Sequence, residues 1–323
     1  MRKGLAVGIS EYPFGELRGC VEDAEELAKI LQWNFEEKDG DENFQMEVKR
    51  NLTRAELKKA VRSHFAKDEE MLLFYFSGHG ELSETGGYIM TTDSEEDDPG
   101  VSMDEILKIV NRSKAKEKII ILDCCNSGAM GEFNDYDTSP SSIHRGVTIL
   151  TASSESQSAF QINGRGAFTS FLLDALKGSA ADITGYITPG SVYIYIDKML
   201  GLADEQRPIF KTNVSRFTIL RKVVPPIPWA VLRKIIKYFV DPDDLYKLDP
   251  SYEDTNTAKK GGIKPYAIKE NTVIFKELQK LQSIGLVIPH DAEFMYFAAM
   301  KKKSCKLTPL GKHYWALIKR KEN

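Results

Sequence analysis

Two short segments hold residue types that can do nucleophilic chemistry. Ser77-Gly78-His79-Gly80 follows the apolar run Met71–Phe76, and Asp123-Cys124-Cys125-Asn126-Ser127-Gly128 follows the apolar run Ile119–Leu122. A cysteine beside a histidine attacks a carbonyl as thiolate, and the imidazole protonates the leaving amine. Glycines flanking His79 let the ring approach a neighbour and permit unusual backbone angles. Backbone N–H groups of Gly80 and Cys125 are candidates for an oxyanion hole. Read blandly, a single histidine after a strand is a loop residue and a single buried cysteine is core. The pairing of two such strand ends favours the chemical reading.

Elements must bring the two segments together. Leu5–Ser10, Met71–Phe76, Ile119–Leu122 and Val147–Thr151 read as strands, the middle two buried on both faces, with Tyr88–Thr91 as a further short strand. Helices are expected at Val21–Leu31, Arg54–Phe65, Met103–Val110, Gly166–Leu176 and Ser191–Leu200. Asn51 or Thr53 would cap the second, and Ser102 with Glu105 would form a capping box on the third. Buried strands alternating with amphipathic helices predict an α/β sandwich with helices on both faces of a mostly parallel sheet, whose chemistry gathers at the carboxyl ends of the strands.

The chain of 323 residues is long enough for two domains. Its net charge of −3 conceals an asymmetry: residues 223–323 carry 18 Lys and Arg against 11 Asp and Glu, whereas 1–222 carry 26 against 36. The proline-rich Val223–Pro228 marks the boundary, giving domains 1–222 and 223–323. Four cysteines, two of them adjacent, exclude a disulfide scaffold. The segment MRKGLAVGISEYPFG lacks a long apolar stretch, so a signal peptide is not expected; no stretch of the sequence reaches 18 uncharged apolar residues, so no membrane span is expected, and a reducing cytoplasm is the expected setting.

The two chemical segments resemble the His and Cys motifs of the caspase-like cysteine peptidases, most closely the metacaspase branch, whose nucleophile motif reads Asp-x-Cys-x-Ser-Gly. Leu17-Arg18-Gly19-Cys20-Val21-Glu22-Asp23-Ala24 resembles the family's Leu-x-Gly-Cys-x-x-Asp-Ala segment. Thr151-Ala152-Ser153-Ser154 and Gly166-Ala167-Phe168-Thr169 resemble the start of its small-subunit half, and Gln206-Arg207-Pro208 its usual close. The resemblance spans about residues 1–220. It implies a caspase-like sandwich, His79 and Cys125 as the catalytic pair, and no required cofactor. It also implies a substrate pocket containing Asp23, Ser77 and Asp123, with Ser153 and Ser154 at its edge. Two acids there imply cleavage after Arg or Lys, Arg preferred, and rejection of Asp. Without the resemblance, Asp23 reads as a solvated helix start and Asp123 as a strand-end cap.

Some features depart from the family. Cys124 is an unusual neighbour for the nucleophile, and Met130–Arg145 is short, with Arg145 its only Lys or Arg, so strict dependence on proteolytic processing is not expected. Some metacaspases need calcium, and Glu95-Glu96-Asp97-Asp98 is a run of hard oxygen ligands, although without EF-hand spacing; a solvated turn is the favoured reading, and no metal ligands are assigned.

In 223–323, helices at Trp229–Val240 and Val273–Leu281, a strand at Gly285–Ile288, a hairpin from Phe294–Met300 through Lys301-Lys302-Lys303 to Lys306-Leu307, and a helix capped by Thr308 resemble a small α+β winged-helix domain. Protein contact or dimerisation is its expected use, ahead of nucleic acid. The leading functional reading is a cysteine endopeptidase acting on a protein substrate in a bacterial signalling, defence or cell-death pathway. By analogy with relatives, a pore-forming death effector is one candidate substrate. The alternatives are an inactive caspase-like scaffold and a nucleic-acid-sensing regulator.

Overall fold

A computed structural model describes residues 1–35, 41–95, 97–125, 127, 130, 143–152, 161–162, 165–201 and 207–322. The chain divides into two compact units, Met1–Val224 and Pro225–Asn323.

The first unit is built on six strands: β1 (Arg2–Gly8), β2 (Gln45–Arg50), β3 (Met71–Ser77), β4 (Glu117–Asp123), β5 (Val147–Thr151) and β6 (Ile209–Asn213). They lie in the order β6-β5-β4-β3-β1-β2, all parallel except β6. All seven residues of β3 are buried, as its unbroken apolar run predicts. Each large apolar side chain withdrawn in this way contributes about 1.5–3 kcal/mol of transfer free energy. The edge strand β2 alternates Met46 and Val48 with charged neighbours, which masks its apolar content in the sequence and blunts pairing with other chains.

Two groups of helices cover the sheet. One apolar cluster joins α1 (Cys20–Gln32), α4 (Ala167–Asp174) and α5 (Pro189–Gly201) to one face; a second joins α2 (Arg54–Phe65) and α3 (Met103–Arg112) to the other. The chain changes face between β2 and β3, so the strand order reverses beside β1. Such a switch leaves a crevice outside the carboxyl ends of the strands. In α1, Ala24, Leu27, Ala28 and Leu31 supply the buried stripe, with Glu22 and Asp23 in the first turn, where negative charge complements the helix dipole.

Capping chemistry resolves one alternative and corrects another. Thr53, not Asn51, caps α2, and Glu56 closes the box by accepting from the Thr53 N–H at 2.9 Å. Asn51 instead sits at φ 46°, its side chain accepting from the Ser10 N–H at 2.9 Å. Ser102 stands at the N-cap of α3 without a capping hydrogen bond. Glu105 turns to Lys58 and Arg62 of α2, at 2.8 and 2.7 Å, and the expected box does not form. The strand expected at Tyr88–Thr91 is Gly86–Ile89, which belongs to a separate three-stranded sheet with Gly80–Ser83 and Val101–Ser102. The helix expected over Gly166–Leu176 ends its α-helical part at Asp174 and continues as a π turn to Ser179.

In the second unit, the helix expected over Trp229–Val240 is two short ones, Trp229–Arg233 and Ile235–Tyr238, joined at Lys234. Phe294–Met300, expected as a strand, is a helix from Met295 to Met300. Met295, Ala298 and Ala299 are its buried residues, a spacing that only a helix puts on one face. The three lysines follow as a turn, with Lys302 at φ 53°. Ser304–Leu307 then pairs antiparallel with Val287–His290 and with Tyr246–Lys247 in a three-stranded sheet. Thr308 accepts from the Gly311 N–H at 2.9 Å and caps the last helix, Pro309–Glu322.

Candidate active site

Three strand ends meet in register. Gly8 of β1 pairs with Ser77 of β3, which pairs with Asp123 of β4. The Gly78 N–H donates to the Asp123 carbonyl at 3.2 Å and extends the ladder past the sheet into the two chemical segments. A β-carbon on Gly80 would stand 2.3 Å from the Cys125 carbonyl oxygen and 3.1 Å from Cys124 Sγ. The segment carrying His79 therefore rests directly on the Cys124–Cys125 backbone, and only glycine allows it.

Alternation along β4 separates its last residues. Asp123 is buried at 8% exposure, on the side of the sheet that faces α1 and α4. Cys124 is buried in the opposite cluster, with Phe76 and Leu122. Cys125, beyond the strand, is half-buried and reachable. Burial pushes the Cys124 thiol well above its ordinary value, with the Asp123 charge adding to the shift. Cys20, at the start of α1, is likewise pushed up to about 12 by burial.

His79 is half-buried against an aromatic hairpin. The Tyr12 hydroxyl accepts from the His79 N–H at 2.8 Å, and the Tyr12 ring meets the imidazole edge-on at 4.7 Å. Phe14 stacks on Tyr12 at 5.4 Å and lies 5.4 Å from the imidazole. A β-carbon on Gly78 would come within 2.4 Å of the Tyr12 oxygen, so the hydroxyl fills the space that glycine leaves. Burial lowers the His79 pKa, which favours neutral imidazole at pH 7.

The acids predicted for the pocket share one neighbourhood. Asp23 is 2% exposed on α1 and Ser77 is 2% exposed on β3; burial, with the charges of Asp123 and Asp23 adding to it, holds the Tyr75 hydroxyl well above its ordinary value. Burial pushes the Asp123 carboxyl up to about 6, against the pull of Thr169, which donates from its hydroxyl at 2.5 Å and from its N–H. Thr169 also bonds the Tyr75 hydroxyl at 2.6 Å. A β-carbon on Gly166 would sit 2.9 Å from Asp123 Oδ2, so backbone approaches this carboxylate closely.

Sequence reasoning did not assign roles to Thr169, Tyr75, Tyr12 or Phe14. The available signals were Thr169 within the quoted Gly-Ala-Phe-Thr segment and two aromatics in a short Gly-Pro loop. Ser153 and Ser154 lie outside the described residues. Of the acidic run, Glu96 lies outside them too, Glu95 and Asp98 bridge each other's backbone, and Asp98 pairs with Arg54. Among the described residues no three His, Cys, Asp or Glu side chains are grouped to hold a metal, and no helix is long and apolar enough to cross a membrane.

Sheet order, flanking helices and the strand-end His and Cys segments define the class: a caspase-like α/β sandwich of the cysteine-peptidase clan. The model of the peptidase C14 family, the caspase domain, matches residues 1–215, and the chain belongs to that family. Caspase-1 from Spodoptera frugiperda is similar in fold, with a TM-score of 0.51 and 17% identity over 68% of this chain and 90% of the other. A protein from Geobacter sulfurreducens is similar at a TM-score of 0.50 and 17% identity, over 69% and 99%. No curated protein matches the chain.

Proposed function

We propose that the chain is a cysteine endopeptidase that cleaves a protein substrate after a basic residue, Arg ahead of Lys. Cys125 is the nucleophile and His79 its acid–base partner. The thiol proton passes to the imidazole, the thiolate adds to the scissile carbonyl, and the imidazolium gives its proton to the departing amine. Water then hydrolyses the thioester, with His79 taking and returning a proton. The N–H groups of Gly80 and Cys125 are the candidate oxyanion donors. The observation that supports this reading is the seating of Gly80 on the Cys125 carbonyl, which brings the backbone that carries His79 against the backbone that carries the half-buried Cys125. Cys124, buried and held protonated, is unsuited to the same role.

The buried Asp23 and Asp123, with Ser77 beside them, support the basic specificity. A guanidinium relieves two desolvated acids with several donors in one plane, which an ammonium matches only as a point charge. The second unit is read as a winged-helix-like module for protein contact or dimerisation. A role in bacterial signalling, defence or cell death, with a pore-forming effector as one substrate, extends the same reading. Incubating the purified protein and its Cys125→Ala variant with a peptide library tests the core of it. Cleavage after Arg and Lys by the wild type alone is expected; no cleavage, or equal cleavage by the variant, overturns it.

A further inference from the structure

An exposed aromatic ring, Phe14, stands beside the His79 imidazole. Phe14 is 60% exposed, yet it is fixed: its ring stacks on Tyr12 at 21° between planes, and Tyr12 is buried and hydrogen-bonded to the His79 backbone. The hairpin that carries it, Glu11–Tyr12 with Gly15–Glu16, is therefore anchored to the site by the same residue that positions His79. A ring held in this way offers apolar area at little cost in conformational freedom.

The leaving group must come to this ring. In the reaction proposed above, on which this inference rests, His79 hands its proton to the departing amine, so that nitrogen lies within about 3 Å of the imidazole. The β-carbon of the residue supplying the amine is two bonds further on, about 2.5 Å away. The Phe14 centroid is 5.4 Å from the imidazole centroid. The first side chain on the leaving side of the scissile bond is thus within reach of the exposed face of Phe14.

We infer that Phe14 is a specificity-determining residue that contacts the P1′ side chain and selects a large apolar or aromatic one. Tyr12 is the positioning residue beneath it. An acidic P1′ residue gains nothing from the ring and adds an anion to a site that already carries Asp23 and Asp123.

Internally quenched peptides varied at P1′ (Phe, Leu, Ala or Asp) with Arg at P1, beside a matched set varied at P1 (Arg, Lys, Leu or Asp), test this on the full chain. Wild type is expected to favour Phe and Leu over Ala by roughly tenfold in kcat/KM, the scale of apolar pocket discrimination. Phe14→Ala is expected to level that ranking to within about twofold while keeping the order of P1 residues, and Phe14→Leu to restore part of it. A flat wild-type ranking, or a Phe14→Ala variant that loses activity on all four peptides by one factor, overturns the inference and leaves the peptidase reading standing. Wild type that cleaves no peptide of any P1 residue overturns both.

Discussion

The two faces of the sheet, compared at the same strand ends, have opposite chemistry. Toward α2 and α3, strands β3 and β4 present Phe74, Phe76, Ile120, Leu122 and, just past β4, Cys124. Toward α1 and α4, the same strands present Tyr75, Ser77 and Asp123, with Thr169 and Asp23 brought up from the helices. At these strand ends the first face is apolar. The other keeps buried charge, at the cost of a carboxylate whose protonation burial favours. The comparison teaches that neighbours in sequence, Asp123 and Cys124, differ in role because a strand's period of two sends them to opposite environments.

The largest effect that can sharpen this contrast is on the sulfur atoms. Cys125→Ala and His79→Ala are each expected to remove peptide hydrolysis, by about 10³-fold or more, with the fold retained. Cys124→Ser is expected to keep substantial activity but lower the melting temperature, because a hydroxyl replaces a thiol in an apolar wall. Mass spectrometry after a peptidyl chloromethyl ketone should find the adduct on Cys125; an adduct on Cys124 alone would refute the assignment of faces.

On the polar face, Asp123→Asn is expected to lower kcat/KM for P1 Arg by roughly 10²-fold, and for P1 Leu by less. The same substitution should stabilise the protein at pH 7. The folded-state pKa of about 6 exceeds the ordinary carboxyl value of 3.8, so the native state binds the proton more tightly than the unfolded chain. The stability this group contributes is present below about pH 4 and lost as pH rises through 6. Removing the ionisation should return about 3 kcal/mol at pH 7 and little at pH 4, read by urea unfolding at both. A less stable Asp123→Asn at pH 7 would mean that the carboxylate is held by a favourable partner.

A smaller effect isolates Thr169. Loss of its hydroxyl in Thr169→Val removes a donor to the Asp123 carboxylate, which should raise its pKa further and move the acid limb of kcat/KM for P1 Arg upward. A loss of roughly threefold to tenfold at pH 6, narrowing at pH 8 and rescued by Thr169→Ser, is expected. A uniform loss at every pH would reduce Thr169 to a packing residue. The smallest effect belongs to the second unit: Lys301, Lys302 and Lys303 changed to Glu should leave peptide cleavage within about twofold, and gel shifts at physiological salt should show little specific DNA binding for either protein. Tight, sequence-selective binding by the wild type would favour the nucleic-acid reading.

The central strands were legible from the sequence, since an apolar run such as Met71–Phe76, buried on both faces of the sheet, needs no partner information to be recognised as a buried strand. The segments that hold His79 and Cys125 stand out in the sequence because glycines and polar residues punctuate the ends of such runs, and the structure brings their backbones together. The positioning groups were not legible. Thr169 reaches Asp123 across 46 residues and Tyr12 reaches His79 across 67, and neither contact leaves a local pattern. Strand β2 escaped because charges on both faces of an edge strand hide its period. Phe294–Met300 was misread because seven mostly apolar residues suit a strand as well as a helix, and only packing on Met295, Ala298 and Ala299 separates the two.

The seat of Gly80 on the Cys125 carbonyl puts the segment that holds His79 and the segment that holds Cys125 in direct backbone contact. On the reading proposed above, a side chain at position 80 would push on the Cys125 carbonyl and so disturb both segments at once.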